Sequence, residues 1–259
     1  MDADIIEYYD RGGEDDRLDE SLELLRTKVL LERYLPPSAD VLDVGGASGV
    51  YATWLADNGH RVRLVDPVPR HVDTARALGI DAVLGDAREL PEPEASHDVV
   101  LMLGPLYHLI DRADRVRALA EARRVVRPGG LVIGAAISRW TPLFEGMLRG
   151  IVDAPGFADM LREDLASGTR RGTQHLPYGF TTCYFHHPDE VAGEFTDAGL
   201  EFADLLPVEG MAHWIPDLRD RLADPARRAL LLELLDSTER EPAILGATAH
   251  LLAVARRAG

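Results

Sequence analysis

Val41-Leu42-Asp43-Val44 runs directly into Gly45-Gly46-Ala47-Ser48-Gly49, and residues 50–58 continue with helical spacing. An apolar run broken by one acid, then a glycine-rich turn, predicts a strand, a tight turn and a helix start. Such a turn lets a ligand approach the backbone closely. Many proteins use the same turn with no ligand, so the surrounding sequence has to decide.

Outward from this loop, strands expected at 61–65, 81–84, 98–103 and 131–137 alternate with helices at 70–78 and 112–126. Gly59 and Gly79 close the first two helices, and Pro128, Gly129 and Gly130 stop the third. This alternation implies a parallel sheet with right-handed crossovers. Upstream, residues 20–34 place Leu22, Leu25, Val29 and Leu30 on one helical face, ended by Pro36 and Pro37. After Ser138 the rhythm breaks into a stretch rich in Gly, Pro and aromatics, 139–187. A helix at 188–198 and a strand at 200–206 follow, then a second insertion with an amphipathic helix near 226–235, then a terminal strand at 250–255. The expected fold is one α/β domain over 1–259: a seven-stranded, mostly parallel Rossmann-like sheet with helices on both faces. It carries an N-terminal helical cap (1–38), a core (39–137) and helical lid insertions (138–187 and 207–246) after strands five and six. Insertions at the carboxyl edge of such a sheet are placed to cover a site.

Asp43, Asp66 and Asp86 stand at the ends of three successive predicted strands. A carboxylate after the second strand can accept from both hydroxyls of a ribose, and one after the third can accept from the exocyclic amine of adenine. Each acid alone reads equally well as a solvated strand end or a helix cap. Three in register beside a glycine loop describe an adenosine-shaped cleft.

In this order the motifs resemble those of the class I S-adenosylmethionine-dependent methyltransferases. Asp43 to Gly49 resembles their first motif, Asp66 their ribose-binding acid, and Gly85-Asp86-Ala87 their adenine-binding motif. His97-Asp98-Val99-Val100 and Arg127-Pro128-Gly129-Gly130 open the fourth and fifth strands as in that family. The resemblance covers residues 39–137 strongly and the later strands weakly. It implies S-adenosylmethionine as cofactor, with Asp43, Gly45, Gly46, Gly49, Asp66, Pro67, Asp86, Ala87 and Leu103 around it. One position departs: Ala47 replaces a glycine, which is tolerable where φ is negative and mildly narrows the approach to the methionine part. The rival is a nicotinamide-dependent oxidoreductase. Ala47 and Val50 occupy two of the three glycine positions that its G-x-G-x-x-G loop requires, and Asp43 would repel a pyrophosphate while suiting an ammonium group.

The family fold turns the end of the fourth strand toward the reactive methyl group, so Tyr107 and His108 are the expected catalytic residues. A histidine titrating near neutrality can take a proton from a hydroxyl or indole-like acceptor. The plainer reading packs Tyr107 on the sheet and makes His108 a helix cap. On the N-terminal helices, Arg26 is expected to hold the methionine carboxylate and Tyr9 to close the pocket. The plainer reading pairs Arg26 with Glu23 or Glu32. Trp140, Phe144, Phe157, His175, Tyr178, Phe180, Tyr184 and Phe185 crowd the first insertion with His186 and His187, and Met211, His213 and Trp214 the second. They suggest a planar, apolar acceptor, or supply the lid with its own core. Adjacent histidines on one element point apart, and no zinc-type spacing of His, Cys and carboxylates occurs, so no metal is expected.

The net charge of −16 disfavours a nucleic-acid substrate. Cys183 is the lone cysteine, which rules out an internal disulfide and fits a reducing cytoplasm. No stretch approaches ~18 apolar residues, and residues 1–17 are acidic without a signal-peptide core, so no membrane partner is expected. The sequence therefore reads as an enzyme moving the S-adenosylmethionine methyl to oxygen, nitrogen or carbon of a small molecule, aromatic or a secondary metabolite, as a monomer or homodimer. A non-catalytic S-adenosylmethionine-binding protein is the second reading.

Overall fold

β1 (Asp40–Val44) lies at the centre of the sheet, flanked in parallel register by β2 (Arg61–Asp66) and β4 (His97–Met102). The computed structural model describes residues 3–10, 21–173, 176 and 179–259. Expectations placed on residues 1–2 and 11–20, on His175 and on Tyr178 lie outside these.

β3 (Asp81–Leu84) pairs with β2, and β5 (Val126–Ser138) with β4, again in parallel. The last strand, β9 (His250–Arg256), runs antiparallel between β5 and β8 (Glu201–Pro207). The principal order is therefore β3-β2-β1-β4-β5-β9-β8, which is the expected seven-stranded, mostly parallel sheet. Two short strands extend it. β7 (Cys183–His186) pairs in parallel with Ile137 and Ser138, beyond the point where β4 has ended, and β6 (Thr169–Arg170) pairs with β7. β5 also starts earlier than expected, running through Arg127 to Gly130 with a register shift opposite His97.

Helices cover both faces. α3 (Val50–Asp57) and α4 (Pro69–Ala77) follow β1 and β2, and α5 (Arg112–Val125) precedes β5. Gly59 and Gly79 take φ of +88° and +86°, the left-handed termination that a glycine beyond a helix provides. α1 (Ala3–Asp10) and α2 (Leu22–Tyr34) stand ahead of the sheet. Ser21 caps α2, its hydroxyl accepting from the Leu24 amide at 3.0 Å. Leu24, Leu30 and Leu31 of α2 then pack with Leu55 on Val41, Val99 and Ile133. Each buried leucine contributes roughly 1.5–3 kcal/mol, which fixes α2 on this face of the sheet. The first insertion forms α6 (Thr141–Leu148) and α7 (Phe157–Ser167), and α8 (Pro188–Asp197) returns the chain to β8. The second insertion forms α9 (Leu218–Ala223) and α10 (Pro225–Thr238) between two 3₁₀ turns. No described helix is long and apolar enough to cross a membrane.

Because β1 to β5 are parallel, the loops after β1, β2, β3 and β4 open at one edge. β9 runs the other way, so its first residue, His250, opposite Ile137, returns to that same edge.

Candidate active site

The glycine loop and the segment after β4 close against each other at the sheet edge. Gly45 has φ +68°, and a side chain there would stand 2.9 Å from Pro105 Cδ. A side chain on Gly46 would overlap the Asp43 carboxylate and come within 2.8 Å of Leu64. A side chain on Gly104 would come within 2.7 Å of the Gly45 carbonyl oxygen. The backbone therefore approaches as closely as it can, and it bounds a cleft of about 1020 Å³. Gly45, Gly46, Asp43, Asp66, Pro67 and Leu103 line this cleft. A smaller hollow of about 300 Å³ shares Gly45, Pro67 and Pro105 with it and holds Asp86 and Ala87. Gly49 lies outside both linings and acts as the left-handed N-cap of α3, at φ +93°.

The three acids prove chemically different. Asp43 is 1% exposed, and neither of its carboxylate oxygens has a hydrogen-bond partner among the described residues. Burial, and next the charge of Asp66, pushes it up to about 7. Asp66 accepts three hydrogen bonds. One oxygen accepts from the Val68 amide at 2.9 Å and from His71 Nδ1 at 3.0 Å; the other accepts from the Ala47 amide at 3.0 Å. It thus ties the end of β2, the glycine loop and the first turn of α4 together. Asp86 accepts from the Arg88 guanidinium at 2.9 and 2.7 Å, and this partner holds its carboxyl well below the usual range.

Ala47 departs from the negative φ expected of it: it sits at +50°. That region costs a β-carbon residue roughly 1–2 kcal/mol, and the amide bond to Asp66 keeps the loop there.

Tyr9, Tyr107 and His108 line the same cleft. His108 is buried, with Nδ1 3.1 Å from the Thr182 carbonyl and Nε2 2.7 Å from the Tyr9 hydroxyl. A carbonyl only accepts, so Nδ1 carries the proton and Nε2 accepts from Tyr9. His108 thereby fastens α1 over the opening. Asp4 adds a second tie, accepting from the Thr182 hydroxyl at 2.6 Å.

Arg26 goes elsewhere. It is fully buried and pairs with Asp236 and Glu239 of the second insertion, and neither the cleft nor Glu23 or Glu32 receives it. A neighbouring stripe of α2 reaches the cleft instead, through Glu23 and Thr27, one helical turn apart. None of the described insertion aromatics lines the cleft. Phe144 stacks on Trp214 at 5.1 Å, Trp140 on His187 at 5.4 Å, and Phe157 fills the space beside Gly146. His186 and His187 do point apart: His186 faces Glu194, and His187 caps α8. The sequence reading missed His71, Tyr51, Glu23 and His250, all of which line the cleft. His71 had a usable signal, since it lies five residues after the acid that ends β2. The others have none in their local sequence.

Residues 42–134 match the family model described as a methyltransferase domain. The ubiquinone biosynthesis O-methyltransferase of Methylocella silvestris is 33% identical over 136 residues, covering 49% of this chain and 52% of that protein. The chain thus spans about half the length of that curated relative. Among solved structures, a Haloferax volcanii methyltransferase in complex with the Trm112 methyltransferase activator superposes with a TM-score of 0.63 at 19% identity, covering 98% of each chain. The 1,6-didemethyltoxoflavin-N1-methyltransferase of Burkholderia thailandensis, bound to its substrate and S-adenosylhomocysteine, gives 0.59 at 20% identity, covering 99% of this chain and 87% of that one. The chain therefore carries a methyltransferase domain in residues 42–134, built into the fold of the class I S-adenosylmethionine-dependent methyltransferases.

Proposed function

We propose that the protein transfers the methyl group of S-adenosylmethionine to a small-molecule acceptor. The observation that carries this is Asp43: a buried carboxylate whose two oxygens have no hydrogen-bond partner among the described residues, beneath Gly46 at the floor of a glycine-walled cleft. Such a group needs a cation, and the cofactor offers an ammonium and a sulfonium. A pyrophosphate would be repelled there. The cofactor supplies a methyl group already activated by positive sulfur, so the protein mainly has to align the acceptor.

The residues divide by role. The backbone of Gly45 to Ser48 walls the methionine part, and Asp43 attracts its ammonium. Asp66, held by His71 and two amides, keeps further lone pairs for the ribose hydroxyls. Asp86 and Ala87 border the hollow for the adenine. Tyr9 and His108 close α1 over the cleft, and Tyr107 stands beside them as a candidate to orient the acceptor. A cleft covered by its own N-terminal helix suits a metabolite better than a polymer, and the acidic surface agrees.

Calorimetric titration with S-adenosylhomocysteine, and separately with NAD, tests the cofactor. Saturable binding of the first alone is expected; binding of NAD alone overturns the proposal. Incubation with S-adenosylmethionine and a metabolite panel, read by mass spectrometry, should show a product heavier by one methyl group. Tight cofactor binding with no methylated product across the panel favours the non-catalytic reading.

A further inference from the structure

The end of the cleft away from Asp66 gathers charged side chains that the methyl-transfer reading does not use. His250 opens β9, Glu209 follows β8, and Glu23 lies in the first turn of α2. His250 Nδ1 is 2.6 Å from Glu209 Oε1 and 3.9 Å from Glu23 Oε2. One ligand atom from each of the three falls within 4.8 Å of the others. His213 stands alongside, its Nδ1 3.8 Å from the same Glu209 oxygen.

We propose that Glu23, Glu209 and His250 form a binding site for a divalent first-row transition metal at the acceptor end of the cleft. Three observations support it. The donor set mixes imidazole nitrogen with carboxylate oxygen, which suits zinc or manganese better than an all-oxygen ion such as magnesium. Ligand atoms around a four-coordinate zinc stand ~3.3 Å apart at metal–ligand distances of about 2.0–2.2 Å. The gaps of 2.6 and 3.9 Å straddle that spacing, so small side-chain rotations seat an ion. Glu209 is fully buried, and its second oxygen accepts from Thr248 Oγ1 at 3.2 Å and the His250 amide at 3.0 Å. Such outer hydrogen bonds orient a metal ligand and hold its geometry.

Glu23 and His250 line the cleft while Glu209 lies behind them. The ion would therefore keep its open positions toward the acceptor. Resting on the methyltransferase reading, this assigns the acceptor an oxygen donor, a hydroxyl whose proton is lost more easily on the metal.

The test uses the full chain stripped with a chelator and titrated calorimetrically with Zn²⁺, Mn²⁺ and Mg²⁺. One equivalent of Zn²⁺ or Mn²⁺ should bind with micromolar or tighter affinity, and Mg²⁺ more weakly. His250→Ala and Glu23→Gln should each weaken binding about 100-fold. Glu23 sits near the surface end of α2, so Glu23→Gln keeps the test valid if His250→Ala fails to fold. With Co²⁺ loaded, the visible absorption band should shift when catechol is added as a vicinal-oxygen probe. Absent saturable binding, equal affinity in the variants, or an unmoved band overturns the proposal and leaves His250 and Glu209 as an ion pair. S-adenosylhomocysteine affinity, measured on the same samples, reports on the methyltransferase reading independently.

Discussion

The two ends of the cleft are built in opposite ways. At the glycine-loop end, each element comes from a strand terminus and the few residues after it: Asp43 with Gly45 to Gly49, Asp66 with Pro67, Asp86 with Ala87. At the β5–β9 end, Glu23, Glu209 and His250 come from an N-terminal helix, an insertion and the last strand. The first end is a set of local turns that a parallel sheet places side by side. The second exists only once α2 and the antiparallel β9 have docked. Chemistry encoded in contiguous motifs is therefore cofactor chemistry, while the acceptor end is assembled from distant parts.

Gly46→Ala strikes hardest at the local end. Its methyl group overlaps Asp43 and presses on Leu64. Melting experiments should show a loss of about 3 kcal/mol, at the upper end for overpacking, and calorimetry should find no S-adenosylhomocysteine binding. Retained affinity would remove the loop from the site.

Arg26→Met sharpens the division on the other side. Removing the buried guanidinium leaves Glu239 and Asp236 to the partly exposed Arg33 alone and costs about 1–2 kcal/mol, less than breaking a fully enclosed pair because Arg33 still neutralises Glu239 and Asp236 is 45% exposed. Cofactor affinity in the folded variant should stay within about twofold, since Arg26 does not line the cleft. A large loss of affinity would restore Arg26 as the carboxylate partner.

Asp43→Asn tests the orphaned carboxylate through pH. The folded chain binds this proton more tightly than the unfolded chain, whose Asp titrates near 3.8. Asp43 therefore stabilises fully below that value and loses its contribution as pH rises toward about 7. Denaturant titrations should find Asp43→Asn more stable than the parent by about 4 kcal/mol at pH 8, with the difference vanishing near pH 4. Its affinity for S-adenosylhomocysteine should fall. A pH-independent difference would show that Asp43 is ionised in both states.

The smallest effect belongs to Ala47→Gly. Relief of the left-handed strain outweighs the entropy that glycine adds to the unfolded chain, for a gain of about 0.5–1 kcal/mol. A lower melting temperature would show that the methyl group packs usefully.

The fold was legible where structure follows from short-range rules. Strand–helix alternation, the stops at Gly59 and Gly79 and the acids at strand ends predicted the sheet and its open edge. The extra strands β6 and β7 were not legible, because their two- and four-residue runs carry too little pattern to stand out in an aromatic insertion. The site divided along the same line. Asp43, Asp66 and Pro67 reach the cleft because a strand terminus must open there. Arg26 misses it because the phase of α2 is set by where Leu24, Leu30 and Leu31 find the sheet, which turns Glu23 and Thr27 inward instead.

By itself the sequence determined the order of elements, the glycine loop, the three acids and hence the cofactor expected between them. Turn chemistry and periodicity act over a few residues and need no partner. Only the tertiary structure decided that Asp43 lacks a partner among the described residues while Asp66 and Asp86 have theirs, that Ala47 is left-handed, that His108 latches α1, and that Glu23, Glu209 and His250 meet. Those outcomes depend on burial and on side chains converging across hundreds of residues, and packing alone fixes both.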